Sequence, residues 1–267
     1  MLRKNGLQFQ GQFTRVVLLI LLASACAPAT AHANDLDEAR AAVNSKDYAK
    51  AIHLLTPLAE QGNATAAGML GGLYLQGMGV GRDHNEALRW FLKAAEKGHA
   101  HGQFSVGWVY EKGLGVKQDY SEAVKWYRKS AEQGHPPGQA VLGTMYGSGR
   151  GVPQDYPEAM KWYRRAADQG YPDAYWRIGA MYAQGEGVPT DYIEAEKWFR
   201  KATLQGEPHG QLWLGRLYLE GWGVGKNVAE AAKWYKVAVD QFQRAGVPVR
   251  SDPADKSASA LLLLICA

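Results

Sequence analysis

The chain has 267 residues, 46% hydrophobic and 21% charged, with 30 Lys+Arg against 26 Asp+Glu and a formal net charge of +4. Arg3, Lys4 and Arg15 fall in the first 33 residues and no acid does, so residues 34–267 hold 27 cations against 26 acids, a net of +1. That balance excludes the basic footprint of a nucleic-acid binder and a polybasic membrane patch, and two cysteines, Cys26 and Cys266, exclude a disulfide framework.

The amino terminus reads as a targeting segment. Arg3, Lys4 and Arg15 form a positive region, Val16 to Ala25 is a ten-residue apolar stretch, and Ala31-His32-Ala33 offers a small-x-small cleavage site. These parts predict a secretory signal peptide over 1–33 and export to the periplasm, because the stretch is too short to span a bilayer. Ala23-Ser24-Ala25-Cys26 resembles a lipoprotein box with Ala where Leu is favoured, so the alternative is a lipid anchor at Cys26. Cleavage after Ala33 leaves Cys266 alone, and an apolar core must then supply the stability.

Residues 34–63 match half of the unit that follows them: Asp47, Tyr48, Ala51, Leu54, Ala59 and Gly62 fit its second-helix columns. With a shorter helix over Asp35 to Val43, this stretch is expected to cap the open end of an array.

From residue 64 to 246 one pattern recurs five times at a spacing of 36 residues, with no insertion or deletion. Gly71, Gly107, Gly143, Gly179 and Gly215 share one column. Trp90, Trp126, Trp162, Trp198 and Trp234 share another, each followed by Phe or Tyr. Within a unit, Ala66, Leu70, Leu73 and Tyr74 lie at helical spacing and predict a first helix, which Gly77-x-Gly79 ends. The Gly71 column sits inside that helix at a cost of about 1 kcal/mol, which predicts close helix approach. Asp83…Glu86, Asp119…Glu122, Asp155…Glu158, Asp191…Glu194 and Asn227…Glu230 have capping-box spacing and predict the start of a second helix. Its buried face is expected at Ala87, Trp90, Phe91 and Ala94, and Gly98, Gly134, Gly170 and Gly206 end it. Phe242 replaces that glycine in unit five, so the last helix is expected to run on to Gly246. Residues 247–267 read as a linker and an apolar tail, Ala260 to Ala267, expected to fold back over the open end.

The pattern Ala-x-x-x-Leu-Gly-x-x-Tyr-x-x-Gly-x-Gly-Val-x-x-Asp-x-x-x-Ala-x-x-Trp-x-x-x-Ala-Ala-x-x-Gly resembles the Sel-1-like repeat, a relative of the tetratricopeptide repeat. Asn227, Val228, Thr203 and Val239 depart from it. The resemblance implies an all-α, right-handed solenoid of five helix-turn-helix repeats that acts as an adaptor surface, and it leaves the partner unnamed.

Catalytic constellations are hard to find. The Gly-x-Gly turns follow helices, whereas a dinucleotide fingerprint follows a strand. His99, His101, His135 and His209 have no cysteine beside them, and a structural metal needs about four convergent ligands. Ser148 lies in a helix-ending turn and not in a strand-to-helix elbow. The expectation is no metal, no cofactor and no enzyme activity. The rival reading, a cell-wall or β-lactam-directed enzyme of the cysteine-rich Sel-1-like type, lacks the paired cysteines those relatives carry.

A rotation of 100° per residue from Leu70 turns the columns of Thr65, Gly68, Gly72, Leu75 and Gln76 away from the core. These match the columns that line the concave face of tetratricopeptide proteins. Phe104, Trp108, Trp176, Leu212 and Arg216 occupy them, with Arg177 and Trp213 on the flank. Trp and Arg are enriched at binding hot spots, so these seven residues are the candidate partner-binding set. The reading is a monomeric, exported protein-interaction module with a protein partner, no nucleic acid and no membrane span. The family resemblance adds one sharper setting, an immunity protein neutralising a phospholipase effector of a type VI secretion system.

Overall fold

The computed structural model describes residues 29–244, which form twelve α-helices with no strand among the described residues. Residues 1–28 of the predicted signal peptide and the tail over 247–267 lie outside the described residues. The first helix, α1, runs Ala29–Asn44 and crosses the expected Ala33-Asn34 junction. The chain divides into two compact units between Ala94 and Ala95.

Unit one holds α1, α2 (Tyr48–Glu60), α3 (Ala64–Gln76) and most of α4 (His84–Glu96). α2 packs against both α1 and α3. Ala39, Ala42, Leu55, Leu58, Leu70, Leu73 and Trp90 form its core. Two helices, α1 and α2, occupy the stretch expected to cap the array, and α1 is longer than the segment predicted for it.

Unit two contains α5 (Ala100–Lys112), α6 (Tyr120–Glu132), α7 (Pro136–Ser148), α8 (Tyr156–Asp168), α9 (Pro172–Gln184), α10 (Tyr192–Leu204), α11 (Pro208–Glu220) and α12 (Val228–Arg244). Each helix packs on its chain neighbours, the contact pattern of a solenoid. α5 also packs on α7, and α9 on α11, whereas α7 and α9 meet less closely.

The helix interface explains the glycine column. A Cβ on Gly143 would lie 2.8 Å from Tyr163 Cδ1, and one on Gly179 would lie 2.7 Å from Phe199 Cδ1, well inside van der Waals contact. Backbone and ring touch directly there, so the intrinsic cost of glycine in a helix is offset by packing. The rings concerned follow the regularly spaced tryptophans in sequence and are buried, Tyr127, Phe199 and Tyr235 wholly so. The tryptophan column is less uniform than expected. Trp90 and Trp162 are buried, but Trp126, Trp198 and Trp234 are half-buried. A cation three residues on covers four of these five rings: Lys93 Nζ lies 4.2 Å from the centroid of Trp90, Lys129 Nζ 3.8 Å from Trp126, Arg165 Cζ 4.5 Å from Trp162 and Lys201 Nζ 4.1 Å from Trp198.

The predicted capping box forms by half. Asp83, Asp119, Asp155, Asp191 and Asn227 each accept, through the side chain, the backbone N–H three residues on. The reciprocal bond from the glutamate does not form. Each cap N–H instead donates to the carbonyl of the tyrosine nine residues earlier, as Asp155 N does to Tyr146 O at 2.9 Å. That bond closes the Gly-x-Gly loop and leaves the glutamates to pair with the cation three residues on, as in Glu158–Lys161 and Glu194–Lys197. The first glycine of each loop is left-handed, with φ of 67° at Gly149 and 72° at Gly185, a conformation that only glycine adopts cheaply.

Candidate functional site

The seven predicted partner-binding residues separate into two groups. Leu212 is 2% exposed and Trp213 6% exposed, so neither offers surface to a partner. Leu212 packs with Ala231, Tyr235, Ala238 and Phe242, while Trp213 stacks on Phe199 at 5.3 Å with an interplanar angle of 4°. The correction has a physical cause: the angular argument considers one helix alone, and α10 and α12 cover this part of α11. Phe104, Trp108, Trp176, Arg177 and Arg216 remain partly exposed. Arg216 lies over the rings of Trp213 and Trp222, and Phe104 sits against Tyr127 and His135 at 5.5 and 5.4 Å.

Trp176 and Arg177 are held by one carboxylate. The Trp176 indole N–H donates to Asp173 Oδ1 at 2.8 Å, and Arg177 Nε–H donates to Asp173 Oδ2 at 2.7 Å. These are the i,i+3 and i,i+4 neighbours of one helical face. The guanidinium also lies 4.5 Å from the Trp176 centroid, and that indole stacks on His209 at 4.7 Å. Burial works against the Arg177 charge, but Asp173 and Tyr163 outweigh it and hold the pKa above its ordinary value.

Beside this pair an open cleft of about 200 Å³ lies between α7, α8 and α9. Thr144, Gly147 and Ser148 line one side, Tyr156 and Tyr163 another, and Trp176, Arg177, Met181 and Gln184 a third, with Glu186 from the following turn. The Tyr163 hydroxyl donates to Thr144 Oγ1 at 3.2 Å. Burial pushes the Glu186 carboxyl up, opposed by a hydrogen bond from Tyr156. α7 is smaller here than α5: Thr144, Gly147 and Ser148 occupy the columns of Trp108, Glu111 and Lys112.

Two of the histidines have a structural role. His99 Nδ1 accepts from Gly102 N–H and His135 Nδ1 from Gly138 N–H, capping α5 and α7 where Asn63 caps α3. Accepting requires the neutral ring. Burial, then His101 and His99, lowers the His135 pKa to about 4. Among the described residues no group of three or more His, Cys, Asp or Glu is arranged to hold a metal ion. Tyr163 and Glu186 were not singled out in the sequence, and Asp173 and His209 were not assigned to the binding set, although the i,i+3 and i,i+4 spacing from Asp173 to Trp176 and Arg177 is a readable signal.

The Sel1 repeat profile matches residues 45–63, 64–99, 100–135, 136–171, 172–207 and 208–241. Among solved structures, a Sel1 repeat protein from Oxalobacter formigenes is similar at 34% identity and a TM-score of 0.72, over 77% of this chain and 84% of that one. A protective antigen present in uropathogenic Escherichia coli strains, c5321, is similar at 36% identity and a TM-score of 0.66 over 79% of this chain, which spans only 48% of the antigen. The immunity protein Pa5087 from Pseudomonas aeruginosa shares the fold at 22% identity and a TM-score of 0.51, over 88% of this chain and 81% of that one. Comparison with curated protein sequences gives no match.

Proposed function

The chain belongs to the Sel1 repeat family, and on that premise we propose that it is a non-catalytic module whose protein partner seats on the first-helix face of unit two. One observation carries the reading: Trp176 and Arg177 are locked by Asp173 at the edge of an open cleft. Pre-organised Trp and Arg side chains next to a cavity are the usual composition of a binding hot spot, because little entropy is lost when a partner arrives. Phe104 and Trp108, one helical turn apart on α5, extend the same set of columns. The test is capture from envelope extract by the chain lacking residues 1–33, with mass spectrometry of what is retained. Trp176→Ala should lose the retained protein while its melting curve stays near wild type. Equal retention by both baits would overturn the proposal.

The narrower reading places the chain in the periplasm as an immunity or adaptor protein, with a secreted phospholipase effector as the partner. Its support is the export expected from residues 1–33 and a fold shared with two Pseudomonas aeruginosa proteins named as immunity proteins. Purified chain should suppress the lipase activity of an effector encoded beside it. Unchanged hydrolysis at saturating chain would contradict this reading.

A further inference from the structure

We propose that the cleft between α7, α8 and α9 is a carboxylate-binding subsite, with Arg177 as its anchor and an Asp or Glu side chain of the partner as its occupant. The proposal rests on the interaction reading above and names the chemistry that reading leaves open. A guanidinium presents five N–H groups in a planar fork suited to bidentate carboxylate recognition. Asp173 takes the Nε–H of Arg177, and among the described residues it is the only carboxylate that pairs with this guanidinium. Tyr163 also engages the guanidinium, so an incoming carboxylate would share the fork with that hydroxyl. Asp173 is a positioning residue: it fixes the arginine from one side while spending its other oxygen on Trp176.

The rest of the cleft fits a side chain and not a bare anion. Gln184 brings an amide to it, the Thr144 and Ser148 hydroxyls donate to carbonyls of their own helix, and Trp176 and Met181 offer apolar surface for an aliphatic stem. Among the described residues Arg177 is the one cation lining it. Among the described residues Glu186 is the one acid lining it; burial raises its carboxyl pKa against an opposing hydrogen bond from Tyr156. The columns of Thr144 and Ser148 carry Trp108 and Lys112 in α5 and Arg216 and Glu220 in α11, so the space is absent there, whereas α9 carries the small Ala180 and Ala183 with Gln184.

The experiment uses the full chain, ¹⁵N-labelled, titrated with millimolar N-acetyl-glutamate α-methylamide and, separately, with N-acetyl-glutamine α-methylamide. The reporters are the Trp176 indole N–H, assigned with Trp176→Phe, and the Arg177 Nε–H. The glutamate probe should shift both saturably, with an apparent Kd about tenfold tighter than its amide isostere, as expected for a charge-assisted bond. Arg177→Gln should abolish that preference, and Arg177→Lys, which keeps the charge but not the fork, should weaken it. Equal response to the two probes, no response to either, or a preference that survives Arg177→Gln would overturn the proposal. If the probes fail while Trp176→Ala still loses the partner, only the carboxylate inference falls. If the glutamate probe binds but Trp176→Ala retains the partner, the interaction reading falls instead.

Discussion

Gly71 and Gly72 are adjacent on α3, yet alanine at the two positions should move stability in opposite directions. A Cβ at Gly71 would lie 2.5 Å from Phe91 Cδ1 and Cε1, whereas one at Gly72 would meet nothing within 4 Å. Carbon atoms in good contact are about 3.5–4.0 Å apart, so the Phe91 ring must retreat by about 1 Å. That ring is only 3% exposed and has nowhere easy to go. Overpacking of this kind costs about 1–3 kcal/mol, and removing glycine from a helix interior returns about 1 kcal/mol. Gly71→Ala should therefore destabilise by up to about 2 kcal/mol, from the balance of clash and propensity. Gly72→Ala should stabilise by up to about 1 kcal/mol, because it keeps the propensity gain alone. Urea unfolding of both variants by circular dichroism measures the difference directly. If Gly71→Ala proves as stable as Gly72→Ala, backbone-to-ring contact is not the reason for the glycine column.

Three further outcomes follow from the same structure. Trp162→Ala should cost about 3–5 kcal/mol as a buried truncation, and Trp126→Ala clearly less because that ring is half-buried; equal losses in unfolding experiments would contradict the burial pattern. His135 has its folded pKa depressed from 6.5 to about 4, so its contribution is present above pH 6.5 and lost as pH falls towards 4. Discounted for partial exposure, that loss is roughly 1–2 kcal/mol. His135→Asn, which keeps a capping side chain as Asn63 does, should flatten the acid limb of stability against pH, and an unchanged profile would remove His135 from the account. Intact-mass measurement of exported protein should give Asn34 as the first residue, and a diacylglyceryl group on Cys26 would place the chain on a membrane surface instead.

The repeat register and the helix pairs were legible because they rest on local chemistry at fixed spacing. The Gly71 column announced close approach, and the Asp155 column announced helix starts. What sequence reading missed depends on contacts between elements. The glutamate arm of the capping box fails because Asp155 N–H finds the Tyr146 carbonyl, a bond outside the helix it begins. Leu212 looked outward on an isolated helix, but α12 continues to Arg244 and brings Phe242 over it. The substitution of Phe242 for the helix-ending glycine was visible; its consequence for Leu212 was not. The cleft beside Trp176 was equally hidden, because the three small residues of α7 that line it draw no notice on their own. Asp173 could have been assigned to the binding set, since Trp and Arg at i+3 and i+4 from an aspartate form one face of a helix.

The central claim is that recognition uses the first-helix face of unit two and not the opposite face, where Lys129 and Lys201 lie over tryptophan rings. Calorimetric titration of the captured partner against Trp176→Ala and against Lys129→Ala/Lys201→Ala decides it most directly. Trp176→Ala should weaken binding by at least about 1 kcal/mol, as a hot-spot truncation does, and the lysine variant should bind like wild type. Wild-type affinity for Trp176→Ala together with lost binding by the lysine variant would put recognition on the other face and contradict the account.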